Sequence, residues 1–343
     1  DEVVKYKARI VARGFVQKQG VNFDEVFAPV TRLETVRLLL ALAAKNSWEV
    51  HHLDVKSAFL NGELLEEVYV NQPEGFVKKG QEHKVYKLLK ALYGLRQAPR
   101  AWYSRLNKYL KELGFEKCPY EQAVYTKKEG DECLIIGVYV DDLLVTGSSV
   151  SNILKFKAQI NMEFEMSDLG KLAYYLGIEV EQNRDFTELK QSAYARKLLE
   201  KANLLGCNSV KYPMEPRVQM HKDENGKLVD ATKYRSLVGG LRYLVHTRPD
   251  IAYSVGVVSR YLEKPTVLHM GAVKRILRYV KGTLNYGLRY TKGKGNYILS
   301  GFSDSDFAGS TEDRKSTGGM AFYLNENLIT WVSQKQKCVA LSS

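Results

Sequence analysis

Apolar and polar positions recur along this chain at two periods, one close to 2 and one close to 3.6, without regular alternation between them. Residues 4–16 (VKYKARIVARGFV) alternate basic with apolar side chains, which predicts a half-exposed strand with a cationic face. Thr31 to Asn46 carries leucines and alanines at helical spacing behind a plausible N-cap. Residues 48–60 (WEVHHLDVKSAFL) read as a strand running into a tight turn at Asn61-Gly62. A helix is expected from Ala98-Pro99 to about Leu113, stopped by Gly114. Residues 133–147 (CLIIGVYVDDLLVTG) predict a β-hairpin, two apolar strands around an acidic turn. A helix from about Val150 to Asn161 and a strand from Tyr174 to Gln182 follow. Residues 207–232, polar and holding Pro213 and Pro216, are the best candidate linker. Helical spacing returns over 233–262 and 266–281, and the chain turns strand-like again from about Asn296. The fold class expected is α+β, because strands and helices mix without βαβ periodicity. There is no internal repeat and no low-complexity tract.

Composition narrows this picture only a little. With 343 residues, 45% hydrophobic and 26% charged, the chain has material for two or three globular domains. A formal net charge of +12 points to a polyanionic partner, nucleic acid first and an acidic membrane surface second. A solvated basic surface would give the same number. Cys118, Cys133, Cys207 and Cys338 are widely spaced and form no CxxC pair, so neither a zinc site nor a disulfide framework is expected, and a reducing compartment is the simpler assumption. The longest apolar runs, around Leu38 to Ala44 and Cys133 to Val140, are too short to span a bilayer, and no signal-peptide pattern opens the chain. It begins at Asp1 without a methionine and stops inside an apolar stretch, which suggests a piece of something longer.

Three aspartates, Asp54, Asp141 and Asp142, sit inside apolar strand patterns, where a carboxylate costs free energy unless solvated, paired or bound to a cation. Strand alternation puts Leu53 and Val55 on one face and Asp54 on the other. By the same rule Ile136, Val138 and Val140 share the buried face of the hairpin, while Gly137, Tyr139 and Asp141 share the opposite one. If the two strands are neighbours, Asp54 and Asp141 meet on an open sheet face, with Asp142 at the turn. Carboxylates gathered there suit magnesium, and two such ions about 4 Å apart can promote phosphoryl transfer. Asp-Asp is also common turn chemistry, and a lone strand aspartate can simply cap a loop.

The strings HLDVKSAFLNG at 52–62, LYGLRQAPRAWY at 92–103 and YVDD at 139–142, in that order, resemble the motif set of copia-type LTR retrotransposon reverse transcriptases. YYLGIEV at 174–180 is similar to the family's primer-positioning segment, and YKARIVARGF at 6–15 to its fingers strand. The resemblance implies a right-hand polymerase of fingers, palm and thumb over residues 1–206, a linker and basic helical connection over 207–295, and a truncated ribonuclease H-like start over 296–343. It implies that Asp54, Asp141 and Asp142 are the metal-binding carboxylates of the palm, holding two Mg2+ ions with Mn2+ as a substitute. Phe59 matches the aromatic position that blocks a ribose 2′-hydroxyl. Gln97 falls where the family meets nucleotide or template, and Tyr139 opens the YVDD string beside the incoming dNTP. Lys7 and Arg9 would meet the triphosphate from the fingers, with Arg13 a further candidate. Leu176 and Gly177 would lie at the primer grip, or equally at a sheet corner.

Arg96, Arg100, Arg105 and Lys108, and later Arg275, Arg278 and Lys281, are candidate phosphate contacts giving salt-dependent, sequence-independent binding. The segment FSDSDFAGSTEDRKSTGG at 302–319 resembles the first strand of the family's ribonuclease H domain, with Asp304 its first metal ligand. The glutamate-bearing helix that should follow is missing, so no ribonuclease H activity is expected, and poor order is expected in the last residues. Three other motifs fail. His51 and His52 are adjacent on a strand and diverge, so they cannot share a metal. DSDFAG at 304–309 has Ala308 at a calcium-ligand position, and Gly75 to Gly80 meets Gln81 where a phosphate loop requires lysine.

The function expected is RNA- and DNA-templated DNA synthesis by two-metal transfer from a dNTP to a primer 3′-hydroxyl. Its partners would be an RNA template, a DNA primer or RNA/DNA hybrid, dNTPs and other parts of the Pol polyprotein, with no membrane. The location expected is a cytoplasmic retroelement particle with passage to the nucleus. The rival is a catalytically inactive remnant that only binds nucleic acid. A magnesium-dependent nuclease would need a second complete carboxylate cluster.

Overall fold

The computed structural model describes residues 9–215, 220–293 and 295–340. In chain order its elements are α1 (Leu33–Asn46), β1 (Val50–Val55), β2 (Glu63–Asn71), β3 (Val85–Lys90), α2 (Ala98–Glu112), β4 (Glu116–Lys117), β5 (Val124–Glu129), β6 (Glu132–Tyr139) and β7 (Asp142–Gly147). Then come α3 (Val150–Glu163), β8 (Met166–Lys171), β9 (Tyr174–Tyr175), β10 (Ile178–Gln182), β11 (Phe186–Lys190), α4 (Ser192–Lys201), α5 (Ala231–Leu244), α6 (Ala252–Val258) and α7 (Val267–Gly282). The last are β12 (Gly287–Thr291), β13 (Leu299–Ser305), β14 (Thr317–Leu324) and β15 (Asn327–Lys335). The fold is mixed α and β, and it divides into two compact units. One is drawn from Asp1–Arg32 and Trp48–Lys171, the other from Leu33–Ser47 and Leu172–Ser343.

The first unit is built on an antiparallel six-stranded sheet of order β4-β5-β6-β7-β1-β8. Helix α2 repeats its buried residues every fourth position, Ala98, Trp102, Leu106 and Leu110, and stops before Gly114, whose φ of +83° suits glycine. Helix α3 is capped by Ser149, whose side chain accepts from the Asn152 amide, and it buries Ile153, Phe156 and Ile160. These stripes close over Leu53, Val55, Ile136, Val138, Leu143 and Val145 to form the core. A separate two-stranded sheet pairs β2 with β3.

The second unit contains the antiparallel sheet β12-β11-β10-β9, a helical core of α4 to α7 and the three-stranded sheet β13-β14-β15. Its helix α1 buries Val36, Leu39, Leu40, Ala41, Ala43 and Ala44 together with Arg37 and Lys45. Arg37, at 2% exposure, donates to the carbonyls of Ile329 (2.8 Å) and His246 (3.0 Å) and lies 4.3 Å over the Trp331 ring. Among the described residues no helix is long and apolar enough to cross a membrane.

Several expectations need correction. The strand predicted over 4–16 is absent from its described part, where 9–13 lack regular structure and Gly14–Val16 form a short 3-10 helix. The backbone there bonds to a loop instead of a ladder. Ala12 N donates to the Tyr93 carbonyl (2.7 Å), Arg96 Nε donates to the Gly14 carbonyl (3.1 Å), and a Cβ on Gly14 would run into the Gly94 carbonyl. The strand predicted over 48–60 ends at Val55 and passes into a 3-10 turn, Ala58–Asn61. The strand predicted from Tyr174 to Gln182 is a hairpin, reversed at Leu176-Gly177, where both φ values are positive (47° and 80°). The helical stretch 233–262 breaks between α5 and α6, where Pro249 starts a 3-10 turn.

Leu106→Ala, at a fully buried position of α2, is expected to destabilise the first unit by about 2–5 kcal/mol. Leu65→Ala, 94% exposed, should stay within about 0.5 kcal/mol. Amide exchange in the β6–β7 hairpin reads this unit alone, and equal protection in both variants would refute the core described.

Candidate functional site

The antiparallel register of β1 with β7 sets Val50 opposite Thr146, His52 opposite Leu144, Leu53 opposite Leu143 and Asp54 opposite Asp142. Leu53, Val55, Leu143 and Val145 face the helices, so His52, Asp54, Asp142 and Leu144 share the other face. That face is not open along its length, because His52, Leu144 and Thr146 are buried. Only its end is accessible, at the half-buried Asp54, Asp141 and Asp142.

The β6–β7 hairpin turns on two residues, Val140 and Asp141, between the paired Tyr139 and Asp142. Val140 adopts φ +58° at the first turn position, a conformation that favours glycine and is strained for a β-branched side chain. Such strain costs about 1–3 kcal/mol and persists only where the surroundings over-determine it. Here they do. Trp102 Nε1 donates to the Val140 carbonyl (2.6 Å), Val55 N to the Asp141 carbonyl (2.9 Å), and Thr31 N and Oγ1 to the Val138 carbonyl (2.9 and 2.7 Å).

Burial raises the Asp141 carboxyl above the usual aspartate range, the charges of Asp142 and Asp54 add to the rise, and Arg9 opposes it. Arg9 lies 5.3 Å over the Tyr93 ring, and the Tyr93 hydroxyl is raised by burial and by the charges of Asp141 and Asp54. His52 Nε2 donates to Asp142 Oδ1 at 2.7 Å. The three carboxylates therefore gather at one end of the sheet, where Asp141 feels the other two, an all-oxygen set that suits a hard divalent cation. They are not drawn into a closed ligand set. Among the described residues no three His, Cys, Asp or Glu side chains form a ready metal cluster.

The placement differs in one respect from the alternation of the sequence. Asp142, not Asp141, shares the strand face with Asp54, and Asp141 and Val140 occupy the turn, because the hairpin closes on two residues. Phe59, in the 3-10 turn after β1, is half-buried and packs on Tyr93 with ring centroids 4.6 Å apart. Gln97 is buried, with its amide shared between Gln17, which donates to it (3.0 Å), and the Asn22 carbonyl, to which it donates (2.9 Å). Lys7 lies outside the described residues, and Arg13 immediately precedes the Gly14–Val16 turn.

In the second unit the Leu176-Gly177 turn is held by the Tyr243 hydroxyl, which donates to the Leu176 carbonyl. A Cβ on Gly177 would run into that hydroxyl. Asp304 stands exposed in β13, paired with Gly319.

Several candidate phosphate contacts have internal partners. Arg105 pairs with Glu163, and Arg275 with Glu215 (2.6 Å). Arg278 Nε donates to the Asn208 carbonyl (2.8 Å), and Lys281 to that of Cys207. Thr31, Trp102 and His52 were missed as site residues by sequence reasoning. Trp102 lay inside a quoted motif, but only the hairpin's position reveals what its indole bonds.

Residues 1–216 match the family model described as "Reverse transcriptase (RNA-dependent DNA polymerase)". The chain is 40% identical over 339 residues to the "Retrovirus-related Pol polyprotein from transposon RE1" of Arabidopsis thaliana, covering 99% of this chain and 23% of that protein. It is 42% identical over 353 residues to the corresponding polyprotein from transposon TNT 1-94 of Nicotiana tabacum, covering 100% and 26%. To a "Putative transposon Ty5-1 protein" of Saccharomyces cerevisiae it is 34% identical over 290 residues, 84% of this chain and 94% of the relative. The chain thus spans about a quarter of the length of the two Pol polyproteins.

Because its folded pKa is raised, Asp141 favours folding most when protonated, below the unfolded value of about 4. That contribution is lost as the pH rises through the folded value. Metal-free Asp141→Asn is therefore expected to melt above the parent at pH 7, with the gap closing as the pH falls toward about 4. Melting curves across that range check it, and a parent that melts higher at pH 7 would refute it.

Proposed function

This chain belongs to the reverse transcriptase (RNA-dependent DNA polymerase) family, and from that premise we propose that it synthesises DNA on an RNA or DNA template by extending a primer 3′-hydroxyl. The observation that carries the proposal is the register that sets Asp54 opposite Asp142, beside the turn presenting Asp141. These three carboxylates would hold divalent cations, Mg2+ with Mn2+ as a substitute. Bound there, the cations would lower the pKa of the attacking hydroxyl and offset charge on the transferred phosphoryl group and its leaving oxygen.

The chain's own residues supply the rest. Arg9, whose charge reaches Asp141, is suited to a bidentate contact with the triphosphate. Phe59, backed by Tyr93, offers a flat wall against a ribose 2′-hydroxyl. Gln97 ties down the 17–22 segment through its amide, beside the place where nucleotide or template would lie. Tyr139 and the strained turn fix the height of Asp141. Leu176 and Gly177 would meet the primer. By role, residues 1–206 would be the fingers, palm and thumb, 207–295 the connection, and 296–343 a ribonuclease H-like start.

Primer extension on an RNA template with dNTPs and Mg2+ tests this. The parent is expected to extend, and Asp141→Asn to lose about a hundredfold or more in rate. A parent that binds primer–template but never extends it would instead be a nucleic-acid-binding remnant. Phe59→Ala is expected to raise ribonucleotide incorporation relative to deoxyribonucleotide about tenfold or more. Unchanged sugar selectivity would remove Phe59 from the role of gate.

A further inference from the structure

The adjacent histidines of β1 have separate partners. On the helix-facing side, His51 Nε2 donates to Glu49 (3.1 Å), and Lys157 donates to His51 Nδ1 (2.9 Å) while also binding Asp168. With Lys171 on Glu49 (2.6 Å), this network ties the edge strand β8 and helix α3 to β1. His52 points the other way, onto the face that carries the carboxylates.

On that face Asp142 lies between Tyr139 of β6 and Asp54 of β1, each directly across, with His52 of β1 on the diagonal, a separation that long side chains bridge. The 2.7 Å bond from His52 Nε2 to Asp142 Oδ1 uses the diagonal, and it forms where His52 is only 11% and Asp142 23% exposed. Solvent therefore screens it little. We propose that His52 is a positioning residue for the reaction. It holds Oδ1 of Asp142 and leaves Oδ2 for the divalent cation, so that the carboxylate meets the metal in one orientation. The inference rests on the metal role given to Asp142 above. A hydrogen-bonded outer partner of a ligating carboxylate sets ligand orientation, and its removal typically costs 10–100-fold in metal affinity.

Manganese titration by electron paramagnetic resonance on the primer–template complex tests it, with His52→Leu and His52→Gln beside the parent. His52→Leu is expected to raise the half-saturating Mn2+ about 10–100-fold. His52→Gln, whose amide can reach the same oxygen, should restore it to within about threefold of the parent. In the metal-free protein, nitrogen-15 spectra should place the His52 proton on Nε2, and Asp142→Ala should abolish that preference. Should His52→Leu fail to fold, His52→Asn takes its place, because its amide falls short of Asp142 and the same loss is expected. A folded His52→Leu that binds Mn2+ as the parent does overturns this inference alone, as does a His52→Gln no better than His52→Leu. A parent that binds no Mn2+ overturns the metal reading of the site, and this inference with it.

Discussion

The pairing of β1 with β7 is the constraint from which the first unit's site follows. Strand side chains alternate, so a slip of β1 by one residue against β7 would exchange the faces of Leu53 and Asp54. The apolar set packed under α2 and α3 resists that slip, because it would bury the Asp54 carboxylate in the core and expose Leu53 and Val55. The core thus determines where the acids stand, though none of its members touches the proposed chemistry.

The hairpin tip works against the stability of the unit that carries it. A β-branched residue at φ +58° and three carboxylates within range of one another are both unfavourable in isolation. Bonds from Thr31, Val55 and Trp102, three separate stretches of chain, hold the turn in place. Local strain and like-charge crowding at one end of an otherwise well-packed sheet are the pattern expected where a protein holds a site ready for a partner of opposite charge.

The basic surplus of the chain has an internal part as well as an external one. Arg37 and Arg248 are almost fully buried, and each satisfies its guanidinium with several bonds; Arg248 forks onto Asp250 and reaches the Thr283 carbonyl. Arg275, Arg278 and Lys281 of α7 bond to Glu215, Asn208 and Cys207. They fasten the irregular segment after α4 to the helical core. Net charge counts all of these alike, so it overstates the charge free to meet a polyanion.

Much of the first unit was legible from side-chain period alone. The hairpin at 133–147, helix α2 with its proline start and glycine stop, and helix α3 each announce themselves through local spacing and turn chemistry. So did the three acids, because aspartate in an apolar strand is conspicuous. What local pattern misplaced was anything set by a distant segment. The basic stretch before Val16 alternates like a strand, yet its backbone bonds to the loop at Tyr93-Gly94. Asp141 and Asp142 exchanged turn and strand because the length of a hairpin loop depends on what holds it, and here an indole from α2 does. The pairing of His52 with Asp142 is likewise a property of register, which no single strand contains. The sequence by itself determined which residues would be strand, helix and acid, since these depend on neighbours a few positions away. Only the tertiary structure decided which acids face each other and what fixes them, because those contacts join residues 38 to 107 positions apart.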